Sequence, residues 1–169
     1  MFISKFSKNF SNIVFVIYLA LLVWLVLFKI NIDIREMDRY RSVNFIPFYY
    51  ETDIGFSFHI KEVLYNVLIF IPLGVYINIY GSEWSFLKKI IPCLSVSLLF
   101  ELIQFVFALG ASDVTDIIVN TAGGMSGIIL CILLNQLFPR KYITIVNILG
   151  FMIEILVIIL LVILLIANS

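Results

Sequence analysis

Five stretches of this chain stay apolar for as long as a helix needs to cross a bilayer, and that leaves few folds open to it. The runs cover residues 10–28, 63–80, 90–109, 116–138 and 143–166. A hydrocarbon core about 30 Å thick is crossed by roughly 20 helical residues. No water reaches that depth, so each backbone N–H and C=O has to be paired inside the protein, which an α-helix does by itself. Of the 169 residues 63% are hydrophobic and 13% charged, where a soluble domain carries about 25% charged residues. The expectation is therefore a single all-α membrane domain over 1–169, a bundle of about five transmembrane helices.

The first run follows Lys5 and Lys8, as the apolar core of a secretory signal would. It is longer than such a core, and Lys29-Ile30-Asn31-Ile32-Asp33 follows instead of a small-residue cleavage site, so it reads as a retained helix. Residues 29–62 form the one long loop. It holds five Lys/Arg and six acids, interleaved with Phe45, Phe48, Tyr49, Tyr50, Phe56 and Phe58. That mixture suits a segment at headgroup level, and equally an ordinary loop folded over the bundle end. Pro72 lies inside the second run and should bend it, having no N–H to donate. Cys93 and Cys131 sit in apolar runs with no spaced partner and read as packing residues. The net charge of zero, with no basic patch away from the span ends, offers nucleic acid no footprint.

Short loops set the orientation. Lys5, Lys8, Lys88, Lys89, Arg140 and Lys141 fall on one side, and the bend at Gly110-Ala111-Ser112 on the other side has no Lys or Arg. The positive-inside rule then puts the N-terminus in the cytoplasm and the C-terminus outside.

Charge sits where charge is expensive. Glu101 and Gln104 lie within the third run, and Asp113, Asp116 and Asn120 open the fourth. An acid at mid-bilayer costs about 2.5–3.5 kcal/mol on insertion scales. The third run carries 13 Leu, Ile, Val or Phe residues, each contributing roughly −0.3 to −0.6 kcal/mol at the helix centre. The helix inserts and takes Glu101 with it. At 100° per residue, Ser97, Glu101, Gln104 and Ala108 share one stripe. Asp113, Asp116, Asn120, Gly123, Gly124 and Gly127 share another, and Asn66, Phe70 and Gly74 line one side of the second helix. The short bend makes helices three and four antiparallel neighbours, so their polar stripes face each other at the depth of Asn66. Gly123-xxx-Gly127 is a close-packing pattern, and Asp113 or Ser112 suits a helix cap. Capping does not account for Asp116, one turn deeper. Three acids in one place keep their charge only beside something positive: a divalent cation, Arg39 or Arg41 from the loop, or His59 and Lys61. No established metal-ligand spacing is present, and His59 has no motif-paired nucleophile. Glu154 in the fifth run also calls for a polar partner.

These residues resemble the VanZ family of bacterial membrane proteins. The segments carrying the likeness are 22–29, Asn44-Phe45-Ile46-Pro47-Phe48, Asn66 to Gly74 (with Leu73 where the family often has Phe), and the run from Phe100 to Gly127. The last is the specific one: Glu-x-x-Gln, a gap, then Asp-x-x-Asp-x-x-x-Asn-x-x-Gly-Gly. The resemblance covers residues 10 to about 135 and leaves out Glu154. It implies a multi-pass protein of the bacterial cell membrane that lowers susceptibility to teicoplanin, a lipid-tailed glycopeptide acting on cell-wall precursors.

Two functions of different class follow. In one, Glu101, Gln104, Asp113, Asp116, Asn120, Asn66 and Arg41 form an outer-leaflet polar site that engages a lipid-linked cell-wall precursor or the lipidated drug, among membrane lipids. In the other, the same acids hold a metal, or act as general acid and base, in a membrane-embedded enzyme working on a lipid phosphate or glycan precursor.

Overall fold

The computed structural model describes residues 5–28, 41–49 and 56–167. Seven elements follow in order: α1 (Lys5–Phe28), β1 (Arg41–Asn44), α2 (Phe56–Tyr80), α3 (Phe86–Phe107), β2 (Gly110–Asp113), α4 (Val114–Leu137) and α5 (Tyr142–Ala167). All five helices are long and apolar enough to cross a membrane. Three starts lie four or more residues earlier than the hydropathy pattern places them: the first helix begins at Lys5, not 10, the second at Phe56, not 63, and the third at Phe86, not 90. In each case residues of polar type (Lys5 and Lys8, then His59, Lys61 and Glu62, then Lys88 and Lys89) precede the apolar stretch.

The chain divides into two compact units. One contains α1, α5 and the end of α4 past Cys131. Here Asn147 donates to the Ser11 hydroxyl at 2.7 Å, and Phe10 meets Phe151 edge-on at 5.8 Å. Each of the two polar groups satisfies the other, as a buried polar pair in an apolar setting requires. Glu154, the residue that called for a partner, lies seven residues past Asn147 on the same buried stripe of α5, and its Oε2 has no hydrogen-bond partner among the described residues.

The other unit holds β1, α2, α3, β2 and α4 up to Cys131. Contacts fix its sense: α2 and α4 run parallel, and α3 runs antiparallel to both. Asn66 meets Asp116, Val67 meets Gly123 and Ile71 meets Gly127 along the α2–α4 seam. A Cβ on Gly127 would collide with the Ile71 carbonyl, and one on Gly123 with that of Val67. From the other side, a Cβ on Gly74 would strike the backbone of Gly124. The small-residue pattern is therefore a backbone-to-backbone contact, and its partner is α2. Helix α2 runs without interruption through Pro72.

On α3 the residues Lys89, Cys93, Ser97, Phe100, Glu101 and Gln104 are buried. At one end Lys89 donates to Asn78 Oδ1 at 2.8 Å, in the last turn of α2. That is where the negative end of the α2 dipole favours a cation, so this lysine belongs to the bundle interior and not to the loop. At the other end α3 stops at Ala108, which takes a left-handed backbone (φ 55°) while its N–H and that of Leu109 close the last turn. The chain then passes directly into β2.

β1 and β2 form a two-stranded parallel sheet with Arg41 opposite Gly110 and Asn44 opposite Asp113. This pairing was not expected from the sequence. It pins part of the long loop onto the α3–α4 corner.

The α2–α4 seam generates a stability prediction. Gly127→Ala should destabilise the protein by about 1–3 kcal/mol, since the colliding atom is backbone and cannot rotate away. Ser126→Ala, one residue away and exposed, should stay within about 0.5 kcal/mol. Thermal unfolding of the two variants in detergent checks both.

Candidate functional site

The polar residues of α3 and α4 meet at the β2 end of the second unit. Glu101 sits one turn and a half before the end of α3 and is only 6% exposed. A carboxylate that far from water needs donors. The Asp113 amide donates to Glu101 Oε2 at 2.9 Å, and the Ser112 hydroxyl donates to the Glu101 backbone carbonyl at 2.9 Å. The α3 side chain and main chain are thus both tied to β2.

Asp113 occupies the position just before α4 and acts as its cap: Oδ1 accepts the Thr115 amide at 2.7 Å. Its second oxygen is not idle. Asn44, at the end of β1, donates its carboxamide to Asp113 Oδ2 at 3.0 Å and accepts the Ile46 amide on its own oxygen at 3.0 Å. The Thr115 hydroxyl accepts the Phe48 amide at 3.0 Å. The Asp113 carboxylate therefore caps α4 with one oxygen and holds Asn44 with the other.

Asp116 takes a different partner. Its Oδ1 accepts the Asn66 carboxamide from α2 at 2.7 Å. One turn further, Asn120 is 1% exposed and donates to the Ser97 hydroxyl at 3.1 Å, while its Oδ1 has no hydrogen-bond partner among the described residues. Gln104 is buried on α3 beside this row.

Six of the seven residues singled out from the sequence thus have described side chains in the second unit, with Glu101 bonded to Asp113, Asp116 to Asn66 and Asn120 to Ser97 as separate pairs. For the seventh, Arg41, only the backbone is described, at the start of β1 opposite Gly110; Arg39 lies outside the described residues. Asn44, Ser112 and Thr115 are additions. A local signal existed for Asn44: Asn followed three residues later by Pro is a turn pattern in which the side chain bonds the backbone two residues on. Nothing local announced that it would reach Asp113, 69 residues away.

The carboxylates are arranged as acceptors of amide donors. Glu101 and Asp113 turn toward β1 and β2, and Asp116 turns toward α2. Among the described residues no three His, Cys, Asp or Glu side chains are grouped so as to hold a metal ion.

Comparison with known proteins adds the lineage. The family model described as VanZ/LLP1 matches residues 15–135. Protein VanZ of Enterococcus faecium is 42% identical over 137 residues, covering 80% of this chain and 81% of that protein. No solved structure matches.

The double role of Asp113 can be separated by substitution. Asp113→Ala removes the cap and the Asn44 contact together and should lower stability by about 1–2 kcal/mol. Asp113→Asn keeps a capping oxygen but turns an NH2 toward the Asn44 NH2, so it should retain the cap's share of the stability and lose only the Asn44 contact. Chemical or thermal unfolding in detergent distinguishes the two.

Proposed function

Because the chain belongs to the VanZ family, we propose that it lowers the susceptibility of a bacterial cell to teicoplanin through the polar cluster of Glu101, Gln104, Asp113, Asp116, Asn120 and Asn66. In this reading the α3–α4 corner faces the cell exterior, with the N-terminus in the cytoplasm. The asymmetry of basic residues supports that orientation: Lys88, Lys89, Arg140 and Lys141 all sit at the opposite ends of the helices. The cluster engages the polar part of a lipid-linked cell-wall precursor, or of the lipid-tailed drug, at the outer leaflet.

The observation that carries the reading is Asn120. A buried carboxamide oxygen without a hydrogen-bond partner among the described residues is costly to keep. A bridging water or a ligand donor would relieve that cost. It lies one turn from Asp116 and shares a hydrogen bond with the α3 stripe. Amides and carboxylates together suit the hydroxyls and amides of a glycan or peptide headgroup.

Glu101→Gln and Asp116→Asn are each close in shape to the native residue. Each should reduce teicoplanin resistance to the level of cells lacking the protein, with the amount in the membrane unchanged. Full resistance in both variants would remove the cluster from the function. Turnover of a lipid-linked precursor by the purified protein, abolished in both variants, would instead assign the cluster to an enzyme.

A further inference from the structure

Residues Phe45 to Tyr49 pose a question that the polar cluster does not answer. Phe45 is 76% exposed, Ile46 61%, Phe48 49% and Tyr49 57%. Pro47 between them is exposed too. Five consecutive residues of this kind on a loop in water would be an unfavourable surface, and patches like it mark contact with another apolar phase.

The backbone of this loop is unusual in a second way. The Ile46 amide is bonded to Asn44 Oδ1, the Phe48 amide to Thr115 Oγ1 and the Tyr49 amide to the Ile46 carbonyl. Pro47 has no N–H. Every amide from Ile46 to Tyr49 is therefore satisfied within the protein. A loop bathed in water has no need of this, whereas N–H groups held against the apolar edge of a bilayer do, since an unpaired one there is costly.

Phe48 is the third observation. Its backbone is left-handed, φ 56°, a conformation that disfavours residues with a Cβ and that glycine adopts freely. The side chain that brings this strain is half exposed, so packing inside the protein offsets little of it. Contact with lipid offsets it.

We infer that Phe45 to Tyr49 is a rigid wedge inserted among the lipids of the leaflet at the α3–α4 corner. Its depth is fixed by the β1–β2 pairing, which holds it level with the end of α3, where Leu102 and Phe107 are exposed on the lipid-facing side of the span. The wedge extends that lipid-facing surface sideways, next to Asn44 and Asp113. The inference stands on the loop alone and does not depend on what the polar cluster binds.

Spin labelling in lipid nanodiscs tests it. Cys93 and Cys131 are both fully buried, so a thiol-reactive label introduced with Phe45→Cys or Ile46→Cys reports on the loop, with the unsubstituted protein as the labelling control. Collisions with oxygen, which partitions into lipid, should exceed collisions with a water-soluble nickel chelate at both positions. A label at Ser82→Cys, in the exposed turn between α2 and α3, should show the opposite ratio. Nickel collisions dominating at positions 45 and 46 would overturn the inference. Phe48→Gly relieves the strained backbone and keeps its hydrogen bonds. Combined with the label at 46 it should shift the ratio toward water, and an unchanged ratio would show that Phe48 is no anchor.

Discussion

A carboxylate buried in an apolar helix must find hydrogen-bond donors, and the turn after α3 is built around that requirement for Glu101. One donor to it is the main-chain amide of Asp113, which is available because the chain enters a strand directly after the left-handed cap at Ala108. Once β2 lies there, its other edge pairs with β1. Asp113 then caps α4 with one oxygen and holds Asn44 with the other. One acid in the wrong solvent thus organises the end of a helix, the start of the next and a segment of the long loop.

The glycine seam supplies the second constraint. Backbone contact of Gly123 and Gly127 with Val67 and Ile71 sets the axial register between α2 and α4. That register places Asn66 level with Asp116, so that a short hydrogen bond forms between two side chains 50 residues apart. With larger residues at the seam, the helices would separate by the width of a methyl group or more, and a 2.7 Å contact would not survive. Close packing is here the condition for the polar geometry. At the opposite end α3 is joined to α2 by Lys89 and Asn78, and between the two ends Phe70 packs against Phe100 while the Ser97 hydroxyl accepts from Asn120.

How much of this was readable beforehand depends on the range of the interaction involved. The five helices were legible because hydropathy acts locally along the chain. The stripe of Glu101 and Gln104, and that of Asp116 and Asn120, followed from helical periodicity; of these, Asn120 reaches α3 through Ser97, while Asp116 turns to Asn66 on α2. What could not be read were contacts whose partners are distant and whose pattern is not periodic. The parallel pairing of 41–44 with 110–113 joins segments with no strand-like alternation. Its stability comes from Asn44, Asp113 and Thr115 acting together, and no single residue type signals that. Lys89 was misplaced for a similar reason: a lysine next to another lysine at the edge of an apolar run looks like a loop, and only the position of α2's last turn reveals why it is buried. Glu154 marks a further boundary: it lies on the buried stripe of α5, and its Oε2 meets no hydrogen-bond partner among the described residues.

The most direct test of the account is hydrogen exchange on the Glu101→Ala variant in nanodiscs. If the Glu101 carboxylate organises the corner, amides in 110–115 and in 44–49 lose protection together, although the two segments are far apart in sequence. If protection of 44–49 is unchanged while 110–115 opens, the loop is held by something other than the chain of contacts from Glu101 through Asp113 to Asn44, and the account is wrong at its centre.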